Sequence, residues 1–414
     1  MSTNSCAFTG SSESLTAIEA DLLIACSRVD LTAENVARIT EIVTGGQIDW
    51  ERVQNTSLRH CVTQLLYRSL RTSCENAVPA ETMRRLRAAY EYGVQRNLAL
   101  AADLKKLLRA MAARDIPCVP FKGPTLACDV YTNLGLRLFG DLDILVRARD
   151  IAKAVRVLNE FGYAHEYQLR PAEEAAYIRF EHAFHFVHRT NGRVVELHWR
   201  LSHRDLSFEI DGRGLWSRLR TGTFLGTTTP LLDDSDVFLY LCMHGTKHAW
   251  DRLEWICSIS ETINRSTNLK WDAIAARAKK IGGLRMYVLA LRLAAEVVGN
   301  ERASVLLRRI PNDPIAATLA AQVRDRLFVP QMEHPQQEVH RRVFYLQARE
   351  RLSDRIRGVV YSCVRTPHPV SNDLKVYRLP SWLVFLYYLL RPVRLAREYG
   401  VSWLRAVLRP SPLA

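Results

Sequence analysis

The stretch FKGPTLACDVYTNLGLRLFGDLDILVRARD, residues 121–150, decides the fold. It runs from a turn into an apolar strand that carries two acids, Asp141 and Asp143. Side chains alternate between the two faces of a strand, so these acids share one face and lie about 7 Å apart. Carboxylates at that spacing repel each other unless a positive charge lies between them.

A divalent cation would neutralise this acid pair. Mg²⁺ (or Mn²⁺) favours carboxylate and phosphate oxygens, and two such ions can hold the attacking and leaving oxygens of a phosphoryl displacement. The alternative is an edge strand with one hydrated face, because a D-x-D pair alone is a weak motif. The pair therefore indicates either a metal site or a solvated strand.

The turn that precedes the acids carries groups that suit a phosphate. Gly123 lets the backbone approach an anion, and the next residues can begin a helix whose N–H groups bind one. Lys122 could reach the same phosphate as a point charge. Arg137, four residues before Asp141, could neutralise transferring oxygens. Lys122, Gly123 and Arg137 are thus candidate phosphate-binding residues.

A predicted hairpin, HAFHFVHRTNGRVVELHWRLS at residues 182–202, offers a third acid. A two-residue turn at Asn191-Gly192 would place His185 opposite His198. One face would then carry Ala183, His185, Val187, Glu196 and His198, and the other, apolar face would carry Phe184, Phe186, Val195, Leu197 and Trp199. We predict Glu196 as a metal ligand or general base. His185 and His198 either support the acids and contact substrate, or are hydrogen-bonded structural residues.

Two histidines also lie four residues apart in VFLYLCMHGTKHAWDRLEWI, residues 237–256. Because Gly245 stands where a zinc protease would have glutamate, that activity is disfavoured. Lys247 and His248 could instead contact a triphosphate or a base, with His244 beside them. The alternative is ordinary helix packing.

Taken together, these residues resemble the uncharacterised bacterial nucleotidyltransferase family of the DNA-polymerase-β-like superfamily. The resemblance covers roughly residues 48–260 and rests on Lys122, Gly123, Leu126, Ala127, Tyr131, Arg137, Asp141 to Val146, Val195 to Trp199, His244, Lys247, His248, Trp250, Leu253, Trp255 and Ile256. It implies an α+β fold in which Asp141, Asp143 and Glu196 bind Mg²⁺ and the glycine turn holds an NTP. It departs at Pro124, which follows Lys-Gly in place of the usual Gly-Ser turn, and at Ser258, where an acid is usual.

The chain has 414 residues and a net charge of +14. Periodicity divides it into a disordered tail (1–15), a helical region (16–113), a small mixed-sheet core (114–230), a helical domain (231–330) and a basic, mostly helical region (331–414), with a linker near 329–339. Residues 341–414 carry 14 basic and four acidic side chains. This region either packs internally, which we favour, or lies on an anionic membrane surface.

These patterns favour an Mg²⁺-dependent enzyme that moves NMP from an NTP to a metabolite, sugar, peptide or protein. One alternative is a toxin-type nucleotidyltransferase acting on tRNA or other RNA, which the positive charge suits. Another is a non-catalytic nucleotide or nucleic-acid binder. No apolar run is long enough to cross a bilayer, and the nine scattered cysteines and polar start favour a cytoplasmic, or peripherally membrane-bound, protein.

Overall fold

The computed structural model describes residues 14–166, 171–203, 214–266, 269–329 and 334–356, together with Leu383 and Leu386. The tail predicted at residues 1–15 and most of the basic region therefore lie outside the described residues. The predictions for the C-terminal apolar run and for membrane contact fall there as well. Within the described part of the chain, no helix has the length and apolar character needed to span a membrane.

Five helices precede the sheet. Thr16 and Thr32 cap the first two through reciprocal capping boxes, which satisfy the free N–H groups of the first turn. Residues 50–74 form two helices, because the chain turns at Cys61 with φ of 57°. The five are α1 (Ala17–Cys26), α2 (Ala33–Gly45), α3 (Trp50–Arg59), α4 (Thr63–Cys74) and α5 (Ala80–Ala112).

Helix α5 connects the N-terminal helices to the sheet. Its buried residues recur at helical spacing, and those from Leu100 to Met111 pack in the core beneath the sheet. Gly93 lets the loop at residues 130–140 approach this helix. A Cβ at Gly93 would lie 2.8 Å from Leu138 and 2.3 Å from Gln64.

The core is a mixed five-stranded sheet with helices between its strands. Its elements are β1 (Cys118–Pro120), α6 (Gly123–Asp129), β2 (Asp141–Val146), α7 (Ile151–Glu160), β3 (Tyr163–His165), α8 (Pro171–Phe180), β4 (Ala183–His188) and β5 (Val194–His198). The strand order is β1-β2-β5-β4-β3, in which β2 and β5 are parallel and the other neighbours are antiparallel. The predicted α+β class, a small mixed sheet flanked by helices, is confirmed.

The β4–β5 hairpin keeps the predicted faces but not the predicted register. His185 pairs with Glu196 and Ala183 with His198, because the loop contains four residues, 189–192, rather than two. The register thus differs by two residues, and a shift of two leaves each side chain on its predicted face. Phe184, Phe186, Val195 and Leu197 are accordingly buried in the core against α5 and α7.

A second sheet pairs β6 (Arg220–Phe224) with β7 (Thr227–Leu231). Leu225 and Gly226 both have positive φ, which closes a tight two-residue turn. Helices α9 (Asp234–Lys247), α10 (Leu253–Arg265), α11 (Trp271–Lys280), α12 (Leu284–Glu296), α13 (Glu301–Leu307), α14 (Pro314–Arg326) and α15 (His334–Gln347) follow. The predicted linker is wrong over 334–339, where α15 begins; Arg341 of α15 donates to Asp251 at 2.8 Å.

Candidate active site

The predicted acids meet on one face of the sheet. In the register of the parallel strands β2 and β5, Asp143 lies directly opposite Glu196, and Asp141 is two residues earlier on β2. Parallel neighbours in register project their side chains to the same side, so two strands distant in sequence deliver all three carboxylates. Asp143 is buried, and Asp141 and Glu196 are partly buried.

Two cationic groups lie among these acids. The Nζ of Lys122 donates to Asp143 Oδ1 at 2.7 Å. The Nε2 of His198 lies 3.1 Å from the same oxygen and 3.2 Å from Glu196 Oε2, so it bridges the two carboxylates. His185 adds Nδ1 at 3.4 Å from Glu196 Oε1. The structure thus places both His185 and His198 beside the acids.

These contacts set the charges of the site. Burial alone would raise the pKa of Asp143 and of Glu196, but Lys122 and His198 outweigh it and hold both pKa values below their usual range. Burial likewise opposes a charge on His198, yet its bonds to the two carboxylates raise its pKa. Asp143 and Glu196 are therefore ionised at neutral pH, as metal ligands must be.

Asp141 behaves differently. Burial, followed by repulsion from Asp143 and Glu196, raises its pKa from 3.8 to about 7. Lys122 and His198 lower this value only in part. The site thus places three carboxylates beside two basic side chains, and a bound cation would favour the ionised form of Asp141.

The donor set fits a divalent metal. Among the described residues, Asp143 Oδ2 is buried without a hydrogen-bond partner. Asp143, Glu196 and His198 each offer a ligand atom, and these atoms lie within 4.8 Å of one another. Carboxylate oxygens are the ligands that Mg²⁺ and Mn²⁺ prefer. Asp143, Glu196 and the adjoining Asp141 could hold such an ion.

The glycine turn lies against the acid strand. Gly123 has φ of +48°, and a Cβ there would lie 3.1 Å from the carbonyl oxygen of Asp141. Helix α6 begins at this glycine and has only seven residues. Thr125 N–H already donates to the Lys122 carbonyl at 3.1 Å, which leaves fewer free N–H groups for an anion.

We expect Gly123→Ala to destabilise the fold by roughly 2–3 kcal/mol, because it adds a left-handed backbone penalty to a contact with Asp141. Gly192→Ala is the matched control, since Gly192 has φ of +68° and nothing within 4 Å of its Cβ position. Comparing the two variants by urea denaturation separates the backbone penalty from the cost of the contact with Asp141. Equal losses would contradict a close approach at Gly123.

Lys122 has a measurable structural role in the apo protein. Its pair with Asp143 is buried, with side-chain exposures of 18% and 1%. We expect Lys122→Met to cost about 3–5 kcal/mol of unfolding free energy, since it leaves a buried carboxylate with one cation fewer. Adding Asp143→Asn to that variant should recover part of the loss. Strictly additive effects in this double-mutant cycle would exclude the coupling.

Arg137 does not face the acids as an unpaired cation. Its Nε lies 2.7 Å from Glu254 Oε1, and both side chains are about nine-tenths buried. Ser258 donates to the same Glu254 oxygen at 3.1 Å, and its hydroxyl meets Tyr131 at 3.0 Å. Glu254, one turn before Ser258 on α10, is therefore the acid that holds Arg137.

An aromatic wall on α9 and α10 begins beside Lys122. We use this name for Tyr240, His244, His248 and Trp255. Lys122 Nζ lies 5.4 Å from the Tyr240 ring, which stacks on His244 at 5.8 Å. His244 and His248 then approach Trp255 at 5.6 and 5.2 Å. A continuous aromatic surface thus extends outward from Lys122.

Burial, reinforced by neighbouring cationic groups, lowers the pKa of His244 and of His248 well below the usual value. Both are therefore neutral at pH 7 and bring hydrogen-bonding aromatic surface rather than charge. Lys247, on the last turn of α9, is the half-exposed cation beside them. Trp255 and Lys247 remain partly accessible.

One cavity among the described residues does not include the acids. It has a volume of about 530 Å³ and is lined by residues that include Phe121, Thr125, Arg220 and Asp234. None of the three acids lines it, so the chemistry of the site gives no reason to place substrate there.

Residues 46–299 match the family described as uncharacterised nucleotidyltransferase. The match covers well over half of the chain. The chain belongs to this family. The resemblance to an uncharacterised nucleotidyltransferase family is thereby confirmed, and the acid face described above is the candidate active site of a nucleotidyltransferase.

Other comparisons add little to the family assignment. Among solved structures, the nucleotidyltransferase is similar to the antibiotic-resistance factor ANT(2'')-Ia, with 12% sequence identity and a TM-score of 0.28. The alignment covers 55% of this chain and 97% of that chain. No curated protein matches the sequence.

Several residues of the site were not predicted from the sequence. Tyr240 lies one turn before His244, so its helical spacing could have placed it beside the two histidines. Glu254 could have been found in the same way, four residues before Ser258. The contact between Lys122 and Tyr240 has no sequence signal, because it joins segments more than 100 residues apart.

Proposed function

We propose that this nucleotidyltransferase moves NMP from an NTP to an acceptor hydroxyl, with a divalent cation held by Asp141, Asp143 and Glu196. The observation that carries the proposal is the register of β2 and β5, which sets Asp143 opposite Glu196 with Asp143 Oδ2 unpartnered among the described residues. Mg²⁺ bound there would draw electron density from the phosphoryl oxygens and neutralise charge on the departing pyrophosphate.

The roles of the three acids differ. His198 and the ion pairs keep the pKa of Glu196 low, which makes this carboxylate a weak base. We therefore favour Glu196 as a ligand rather than as the general base. Asp143 would hold the cation together with it. Asp141 would complete the set once it has lost its proton.

Other residues would orient the reactants. His198 and His185 fix the carboxylate planes of Asp143 and Glu196, so we assign them positioning roles. Lys122 is the cation nearest the acids and the candidate for contacting phosphate, since the short helix α6 offers a weak dipole. For Arg137 we propose a positioning role in place of the predicted contact with phosphate, because Glu254 holds its guanidinium.

The aromatic wall would take the nucleobase. His244 and His248 are neutral at pH 7, and Trp255 is partly exposed, so the wall offers stacking rather than charge. Arg252 lies 5.7 Å from the Trp255 ring and extends the platform. Lys247 remains a candidate for the phosphates. This arrangement would put the base outside and the triphosphate over the acids.

The test uses the full chain with each NTP, labelled at the α- or the γ-phosphate, and Mg²⁺. Acceptors are supplied as separate small-molecule, RNA and protein fractions of a cytoplasmic extract. We expect α-label to enter one fraction with release of pyrophosphate, and no transfer after chelation. Transfer of γ-label instead would replace the proposal by phosphoryl transfer. Failure of every NTP with every fraction would favour the non-catalytic binder.

RNA is the acceptor that the net charge of +14 favours on electrostatic grounds. If label enters RNA, raising the salt concentration should weaken the apparent affinity steeply. Label in the small-molecule fraction, with little dependence on salt, would instead assign a metabolite or sugar acceptor. The second outcome would exclude RNA as the acceptor but would leave the proposed nucleotidyl transfer unaffected.

A further inference from the structure

A second group of metal-ligating side chains lies beside the candidate active site. Glu181 and His182 form the link between α8 and β4, and His203 follows β5. Trp199 N–H donates to the His182 carbonyl at 2.9 Å, which ties this link to the end of β5. The backbone thus brings together three side chains that no single sequence motif unites.

The geometry of the group is compact. The His182 and His203 rings lie 3.8 Å apart between centroids, and His203 Nδ1 is 3.3 Å from Glu181 Oε2. All three residues offer ligand atoms within 4.8 Å of one another. Ligands on a tetrahedral zinc ion lie about 3.3 Å apart, given Zn–N and Zn–O bonds near 2.0–2.1 Å. Small side-chain rotations would therefore bring the three onto one ion.

The surroundings favour a cation. The Glu181 residue is 8% exposed, and its N–H donates to Tyr177 at 2.7 Å where α8 ends. The side chains of His203 and Glu181 are only 16% and 11% exposed. One carboxylate and two imidazoles, shielded from water and this close together, are the ligand types that a transition-metal ion binds.

We infer that Glu181, His182 and His203 form a binding site for a divalent transition metal, with Zn²⁺ as its best fit. Two imidazoles and one carboxylate suit Zn²⁺, whereas Mg²⁺ prefers an all-oxygen set. The fourth position stays open to water. This site is separate from the acid trio and does not depend on the proposed nucleotidyl transfer.

The site connects to the active site through one ring contact. The His182 ring packs against His198 at 5.4 Å, and His198 bridges Asp143 and Glu196. A metal on His182 would fix that ring and, through it, the imidazole that orients both catalytic acids. The ion would therefore act as a structural support for the nucleotidyltransferase.

The experiment is a Zn²⁺ titration of full-length, chelator-stripped protein against a chromophoric chelator, with millimolar Mg²⁺ present. Because Asp143, Glu196 and His198 could also take Zn²⁺, the Asp143→Asn variant is titrated in parallel. We expect one site in Asp143→Asn protein, weakened at least tenfold by Glu181→Gln or by His203→Ala. His188→Ala, at a histidine outside the group at the far end of β4, is the matched control and should leave Zn²⁺ binding unchanged.

An X-ray absorption spectrum of Asp143→Asn protein with one equivalent of Zn²⁺ keeps the test decisive if a variant fails to fold. Two imidazoles and oxygen ligands around the ion are expected. A spectrum with fewer than two imidazoles would overturn the assignment. Undiminished binding by the His203→Ala protein, or binding abolished by Asp143→Asn, would do so equally.

Discussion

Asp143→Asn should lower nucleotidyl transfer by a factor on the order of 10³ or more, because it removes a charged ligand at the centre of the acid trio. Asp143 lies at the centre of the site, since it is opposite Glu196 on the neighbouring strand and contacts both Lys122 and His198. The amide is nearly isosteric but carries no negative charge. The measurement is the initial rate of α-label transfer at saturating NTP.

The matched control is Asp103→Asn. Asp103 also loses an ion pair, with Arg193 at 2.5 Å, but on the opposite face of the sheet. It should keep wild-type activity at a modest cost in stability. A rate for Asp143→Asn within tenfold of the wild-type rate, in protein that is folded by circular dichroism, would exclude a role for Asp143 in holding the cation.

The acid face could be predicted because strand periodicity is a local property. Asp141 and Asp143 are two residues apart, and Glu196 and His198 are likewise two apart, so each pair needs only the extended backbone to share a face. The hairpin register was wrong, yet an error of two residues preserves the faces. A one-residue error would have sent Glu196 into the core.

Partners from distant segments could not be predicted. From the sequence alone, Arg137 is a candidate phosphate ligand. In the fold, α10 brings Glu254, which is 117 residues later in the chain, into an ion pair with it. The aromatic wall and the group of Glu181, His182 and His203 arise in the same way, from loops and helix packing. The type of a side chain shows which kinds of group it can contact, but tertiary packing determines which group it does contact. Burial, which raises or lowers the pKa values of the site, is also a property of the assembled fold.

Asp141→Asn should stabilise the apo protein while it removes activity. The ionised Asp141 is disfavoured by burial and by the two neighbouring carboxylates, which raise its pKa to about 7. The amide relieves that repulsion, so we expect a gain of roughly 2–4 kcal/mol in unfolding free energy at pH 8. Transfer should fall with the loss of a metal ligand. Urea denaturation and the label-transfer assay report the two effects separately.

The dependence on pH distinguishes this cause from a general packing effect. Folded Asp141 holds its proton up to about pH 7, whereas the unfolded chain releases it near 3.8. Wild-type stability should therefore fall as the pH rises through that window, and the variant should lack this loss. At pH 4 and below, the two proteins should have similar stability. Mg²⁺ should stabilise the wild type at pH 8 and the variant far less, because a cation that binds only the folded site adds stability by mass action. A variant less stable than the wild type at pH 8 would mean that Asp141 is not under electrostatic strain, and the acid trio would lose its reason to bind a cation.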